Sequence, residues 1–371
     1  QTRLEILGSK HSDIATGYNN LGNCYNNNGN YDEAVECHQK ALQIRVETQG
    51  EKHLDTAISY NNLGNCYRGK GEYNRAIEYL KKALQIRLAT HGEMHLSTAG
   101  SYNNLGNSYS YKGDYDLAIQ YAQKALQIRT AIHGEVHPET GLSYNNLGRC
   151  YYQKGDYKKS VEYHQKGLQI RMAVLGEKHP DTALSYNNLG EIFRCIGDYD
   201  RAIQYYQKAL KILLATVGKE HPHIAICYNS VGKYHLFIGN YDQAITFFQK
   251  ALPICLANYG EQHEATADTY CNLGICNVSN GHYNLAISYF EKALKILTEI
   301  FGEQHYRVAG IYSNLGSCYE KMGDDVKSFQ CFQKSLAIRL KTLEKKHPDT
   351  GTSYNDLGFY HKTQGDYPQA P

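Results

Sequence analysis

Apolar residues along this chain recur at helical spacing, and the helical pattern itself recurs. Tyr18, Leu21, Gly22 and Tyr25 fall at i, i+3, i+4 and i+7 and form the stripe of a first helix. Ala34, Val35, Ala41, Leu42 and Ile44 form the stripe of a second. The pair then returns. A block reading Tyr-Asn-Asn-Leu-Gly, or a near variant, starts at Tyr18, Tyr60, Tyr102, Tyr144, Tyr186, Tyr228, Tyr270, Tyr312 and Tyr354, always 42 residues apart. Glycine ends each first helix, from Gly29 and Gly71 through to Gly365, and Asp114 or a relative caps the next. Gly50 and its equivalents end the second helix. A Gly-Glu-x-His-Pro-Asp loop follows, most complete at Gly176 to Asp181, and Pro138, Pro180, Pro222 and Pro348 suit the first turn of the next helix.

A lone helical hairpin cannot bury both its faces, so successive hairpins must stack on one another. The pattern predicts an all-α fold, an α-solenoid of antiparallel hairpins running over 1–371 as a single domain, with eight full repeats flanked by partial ones. Gln1 to Gly8 align with Gln43 to Gly50, so the chain is expected to begin and end inside repeats. Pro253 is expected to kink or break the second helix between Tyr241 and Tyr259, because an interior proline removes a backbone bond and clashes one turn back.

The spacing of Tyr18, Leu21, Gly22, Tyr25, Ala34 and Ala41 resembles the tetratricopeptide repeat, and Tyr206, Phe248, Phe290 and Phe332 match that family's further aromatic. With its 42-residue period, its Asn-Asn-Leu and its Gly-Glu-x-His-Pro, the chain is similar to the kinesin-light-chain-like subclass. His38, Leu80, Ala122 and His164 replace the second-helix aromatic in the first four copies. Gly22 stands where kinesin light chains usually carry Ala, so the reading is of a relative in architecture. The resemblance implies a right-handed superhelix whose first helices line a concave groove.

Helical-wheel arithmetic separates three faces of the first helix. Leu21, Gly22 and Tyr25 lie within about 60° of Tyr18 and face the second helix. Glycine recurs there despite costing about 1 kcal/mol against Ala, which points to a close helix–helix approach. Of the 34 tyrosines, 22 fall in the three columns led by Tyr18, Tyr25 and Tyr31 and are read as core with a wet hydroxyl. A second face, at about 240–260°, holds Ser59, Ser101 and Ser143, with Cys24, Cys66, Cys150, Cys276 and Cys318 as packing residues between repeats.

The third face, at about 80–140°, carries the candidate site. Asn61, Asn103, Asn145, Asn187 and Asn229 form a constant amide column. Asn65, Asn107 and Lys233 stand four residues on, with Arg149 and Glu191 in the same column; Arg68, Tyr152 and Arg194 stand seven residues on. Constant amides can bond any peptide backbone while varied neighbours select its side chains. The alternative, that amides bond the adjacent repeat, is preferred for the second Asn column of Asn20, Asn62 and Asn104. Arg68, Arg149, Arg194 and Lys233 make the middle of the stripe cationic, and Leu236, Ile275 and Val278 make its end apolar. Kinesin-light-chain-like repeats take acidic ligands, so the resemblance implies an acidic and hydrophobic peptide.

Composition narrows the classes. With 39 Lys+Arg against 37 Asp+Glu the net charge is +2, which gives no electrostatic case for nucleic acid. No run of about 18 apolar residues exists to span a membrane, and no signal peptide is visible. Eleven scattered cysteines without a CxxC pair suit reduced thiols in the cytoplasm. The histidines repeating from His11 to His347 look like a metal ladder, but stacked helices lie about 8–10 Å apart, far beyond a shared zinc bond of about 2 Å. They are read as loop packing or helix caps. The Lys column from Lys40 to Lys334 is read as a solvated outer face. No phosphate loop, dinucleotide fingerprint, zinc-protease or nucleophile-elbow motif occurs, so neither an enzyme nor a cofactor is expected. The expected function is an adaptor-like protein-interaction scaffold. The alternative is a regulatory or sensor array joined to a catalytic or nucleotide-switch module elsewhere.

Overall fold

The computed structural model describes residues 11–343 and 348–364. Among them are seventeen helices and no strand. The chain divides between Val174 and Leu175 into two compact units. The first holds α1 (Ser12–Asn27), α2 (Tyr31–Gln49), α3 (Leu54–Gly69), α4 (Tyr73–His91), α5 (Leu96–Lys112), α6 (Tyr115–His133), α7 (Pro138–Lys154) and α8 (Tyr157–Leu175), whose last residue begins the second unit. The second continues with α9 (Pro180–Ile196), α10 (Tyr199–Thr216), α11 (Pro222–Phe237), α12 (Tyr241–Tyr259), α13 (Glu264–Ser279), α14 (Tyr283–Phe301), α15 (Tyr306–Met322), α16 (Asp325–Thr342) and α17 (Pro348–Gln364). Each unit is a stack of two-helix hairpins of the α-solenoid type.

Histidine starts the first helix of each hairpin. His11, His53, His95, His137, His179, His221, His263 and His305 are all N-caps, and each Nδ1 accepts from the backbone N–H two residues on, at 3.1–3.3 Å. That role needs the neutral ring with its proton on Nε2. The capping reading therefore holds for these eight; His347 lies outside the described residues. Asp114, Asp156, Asp198 and Asp324 cap second helices through a carboxylate oxygen, as expected of Asp there. The turns close on left-handed glycines, such as Gly113 at φ 93° after α5.

Within a hairpin the packing is set by a fixed offset of sixteen residues. The recurring glycine of the first helix lies against His38, Leu80, His164, Tyr206, Phe248, Phe290 or Phe332 of the second, and a Cβ on that glycine would fall 2.5–2.8 Å from the side chain. Where the partner is Ala122, the backbone itself closes in: a Cβ on Gly106 would meet the Ala118 carbonyl at 3.1 Å. The tyrosine columns stack beside this contact, as in Tyr67–Tyr79 at 5.4 Å, Tyr109–Tyr121 at 5.5 Å and Tyr151–Tyr163 at 5.3 Å. The exposed Lys column is not merely solvated. Every member lies over the Tyr ring of its own hairpin's first helix, from Lys208 over Tyr186 at 4.3 Å to Lys250 over Tyr228 at 6.0 Å.

Between hairpins the small-residue face works differently from a plain apolar seam. Arg45, Arg87, Arg129 and Arg339 each donate from Nη1 to the serine fourteen residues on, at 2.7–2.9 Å. At three seams of the second unit the pair becomes Leu213 with Cys227, Cys255 with Thr269 and Leu297 with Ile311. Cys66, Cys150, Cys276 and Cys318 are buried as expected, whereas Cys24 is exposed, since no described helix packs on that side of α1.

Pro253 corrects its expectation in part. α12 runs unbroken through it and has the same nineteen residues as α2 or α4. The proline is exposed while Phe248, Ala251, Ile254 and Cys255 are buried, so packing on the inner face holds the helix together. The carbonyl that loses its donor, Gln249, lies at the solvent side.

Candidate functional site

In the first unit, α3 carries Asn61, Asn65 and Arg68, α5 carries Asn103 and Asn107, and α7 carries Asn145, Arg149 and Tyr152. The two Asn columns bond one another across hairpins. Asn62 donates to the Asn19 Oδ1 at 2.7 Å, Asn104 to Asn61 at 2.8 Å and Asn146 to Asn103 at 2.6 Å. The second column thus takes the inter-repeat role expected of it, and its acceptor is the first column. The oxygens of Asn61 and Asn103 are engaged in this ladder. Asn145 is buried, both its amide atoms lack a hydrogen-bond partner, and it is pressed against Gly167.

The charged part of the stripe is more open. Arg149 donates from Nη2 to Asn107 at 2.5 Å. Arg68 is half-buried, and its Nη1 is enclosed without a hydrogen-bond partner, as is Oδ1 of Asn65 one turn earlier. Burial draws the Arg68 guanidinium below its ordinary value; Tyr111 opposes this, and the like charge of Arg149 adds to it. Tyr152 is half-buried with its ring against Tyr157 at 5.7 Å.

In the second unit, α9 carries Asn187 and Arg194, and α11 carries Asn229 and Lys233. Asn187 is 3 % exposed, and Asn229 donates to the Thr269 hydroxyl at 3.1 Å. Arg194 is held by Glu191 at 3.0 and 3.2 Å and lies 5.3 Å from the Phe237 ring. Burial works against its charge, but Glu191 raises the Arg194 guanidinium above its ordinary value. Its charge is therefore matched locally, while Lys233 stands exposed.

Two features escaped the sequence reading. The buried Arg–Ser pairs were legible as a concerted swap at an offset of fourteen, Arg129 and Ser143 becoming Leu213 and Cys227. Ile58 and Leu142 of the first unit and Ile226 of the second share one column beside the Asn stripe and are each about two-fifths exposed (38 %, 39 % and 42 %). Their apolar identity hid them among core positions.

Stacked two-helix units of constant period, with a lateral amide ladder, define a helical-repeat scaffold. The tetratricopeptide-repeat profile matches residues 13–89, 97–173, 151–215, 223–299 and 307–370, and the chain belongs to that family, whose repeats serve protein–protein interaction. A comparison with curated proteins finds no match. Among solved structures, the chain is similar in fold to a putative kinesin light chain of Podosopora anserina with nearly identical TPR-like repeats (TM-score 0.50, 23 % identity, over 56 % of this chain and 97 % of that one). It is similar also to the apo form of RapI (TM-score 0.55, 18 % identity, 77 % and 98 %). A third is aspartyl phosphate phosphatase F of Bacillus subtilis (TM-score 0.57, 16 % identity, 85 % and 76 %). Among the described residues no helix is long and apolar enough to cross a membrane, and no group of His, Cys, Asp and Glu could hold a metal ion.

Proposed function

We propose that the chain is an adaptor-like scaffold that holds an extended acidic and hydrophobic peptide against the first-helix stripe. The observation that carries this is the unmatched guanidinium of Arg68 on the cationic stripe. One nitrogen of Arg68 has no hydrogen-bond partner, and the like charge of Arg149 adds to the burial that draws the Arg68 guanidinium down. A ligand carboxylate would give the partly exposed Arg68 guanidinium an acceptor and offset the like charge of Arg149, and charge-assisted bonds to Arg exceed neutral ones. Asn65, Asn107 and Tyr152 flank this centre, and Ile58 and Leu142 offer exposed apolar surface in the same unit. Lys233 gives the second unit its own accessible cation, whereas Arg194 contributes less because Glu191 already faces it. Asn61 and Asn103 shape the stripe through the ladder, as Asn229 does through Thr269; Asn145 and Asn187 lie beneath it.

The test is a peptide array of acidic-hydrophobic sequences read against wild type, Arg149→Ala and Lys124→Ala. Loss of about 1–3 kcal/mol in the first variant and almost none in the second is the expected result. Equal loss in both, or binding indifferent to the acidic residues of the peptide, would place the ligand elsewhere.

A further inference from the structure

In the second unit, where α13, α15 and α17 come together, lies an open cleft of about 350 Å³, at the small end of ligand-site volumes. A gap in one column opens it. Gly310 occupies the register that Ile226 holds two repeats earlier, and a Cβ built on it meets no atom within 4 Å. Leu297 and Ile311 give the cleft buried apolar surface.

Its polar groups are incompletely matched. Arg339 is 7 % exposed; Nη1 donates to the Asp349 carbonyl and the Ser353 hydroxyl, both at 2.7 Å, but the buried Nε has no hydrogen-bond partner. Asn314 gives its amide N–H to the Cys271 sulfur at 3.5 Å, a weak acceptor, and keeps its oxygen as an acceptor. Asp268 pairs with Arg307, which Glu264 also holds at 2.7 Å, and Asp356 accepts from Ser313. The lining is charge-balanced, with Asp268 and Asp356 against Arg307 and Arg339. Such a lining favours neither a net anion nor a net cation. An unmet donor next to carboxylates and an apolar surface instead matches a molecule with both charges and a short aliphatic group.

We propose that this cleft binds a small zwitterion of the amino-acid or dipeptide class, its carboxylate on Arg339, its ammonium toward Asp268 and Asp356, and its aliphatic side chain on Leu297 and Ile311. The site shares no residue with the Arg68–Arg149 stripe, so the two readings stand or fall separately.

Titration calorimetry of the full chain with glycyl-leucine tests it, beside N-acetyl-glycyl-leucine and glycyl-leucinamide, which each lack one charge. Saturable binding with a Kd of about 1 mM or tighter is expected, with a loss of about tenfold or more in each blocked analogue. Gly310→Leu should abolish the signal while keeping or raising the melting temperature, since Leu fills open space and favours helix. In amide NMR spectra, glycyl-leucine should perturb α13 to α17 and leave the helices of the first unit unchanged, a readout that needs no variant. No saturable signal at about 10 mM, equal binding of the blocked analogues, binding untouched by Gly310→Leu, or perturbations in the first unit would each overturn the proposal.

Discussion

The ring of Tyr206 lies so close over Gly190 that a Cβ on the glycine would stand 2.7 Å from a ring carbon. Tyr206 is fully buried, so the ring has nowhere to retreat. Gly190→Ala should therefore cost about 1–3 kcal/mol in overpacking, outweighing the roughly 1 kcal/mol that Ala gains in a helix. Gly100, which has nothing within 4 Å of an added Cβ, is the control: Gly100→Ala should stabilise by up to about 1 kcal/mol. Urea titrations of the two variants decide it, and a stabilised Gly190→Ala would contradict the contact.

The Arg129–Ser143 bond, 2.8 Å long and buried, makes a prediction from the chain's own alternative at Leu213 and Cys227. Arg129→Leu alone should destabilise, because it leaves the Ser143 hydroxyl in the seam without its strongest donor. Adding Ser143→Cys should recover much of the loss, with a coupling of about 0.5–3 kcal/mol in a double-mutant cycle. Additive effects would mean that the two positions are not one packing unit.

A pH effect follows from the capping histidine His305. Burial, joined by the Arg307 charge, pushes its imidazole down to about 3. In the unfolded chain the ring titrates near about 6.5. Above that pH both states are neutral and the contribution is complete; as the pH falls from about 6.5 toward 3, the unfolded chain binds a proton that the folded one refuses, and stability is lost. His38 and His164, both pushed down to about 4 by burial, act in the same direction. His305→Asn keeps a capping oxygen without a titrating ring, so its melting temperature should decline less between about pH 7 and 5 than that of wild type. Parallel curves would exclude His305 from the effect.

Pro253 is a tolerated defect on the exposed side of α12. Pro253→Ala restores a backbone donor to the Gln249 carbonyl and should raise stability by up to about 3 kcal/mol. A lowered melting temperature would show that the ring makes contacts worth more than the bond it removes.

What the sequence alone determined is the local part of this protein. The period, the two helices of each repeat, the helix caps, the glycines at the turns and the face each column occupies all follow from spacing, because a residue's azimuth on a helix depends only on its position along the chain. The sequence also put Arg68 and Arg149 on one face of their first helices, by the same arithmetic. It could not decide which column of one hairpin meets which column of the next, since that depends on how far stacked helices slide along one another, a quantity set by side-chain packing. Tertiary structure alone therefore placed the Asn62 amide on Asn19 and put Asn145 beneath the surface, whereas Glu191 lies within a turn of Arg194 and was available as its partner from spacing. The cleft at Gly310 has the same origin: a missing side chain is visible in any sequence, but whether a neighbour fills its place is settled only by packing.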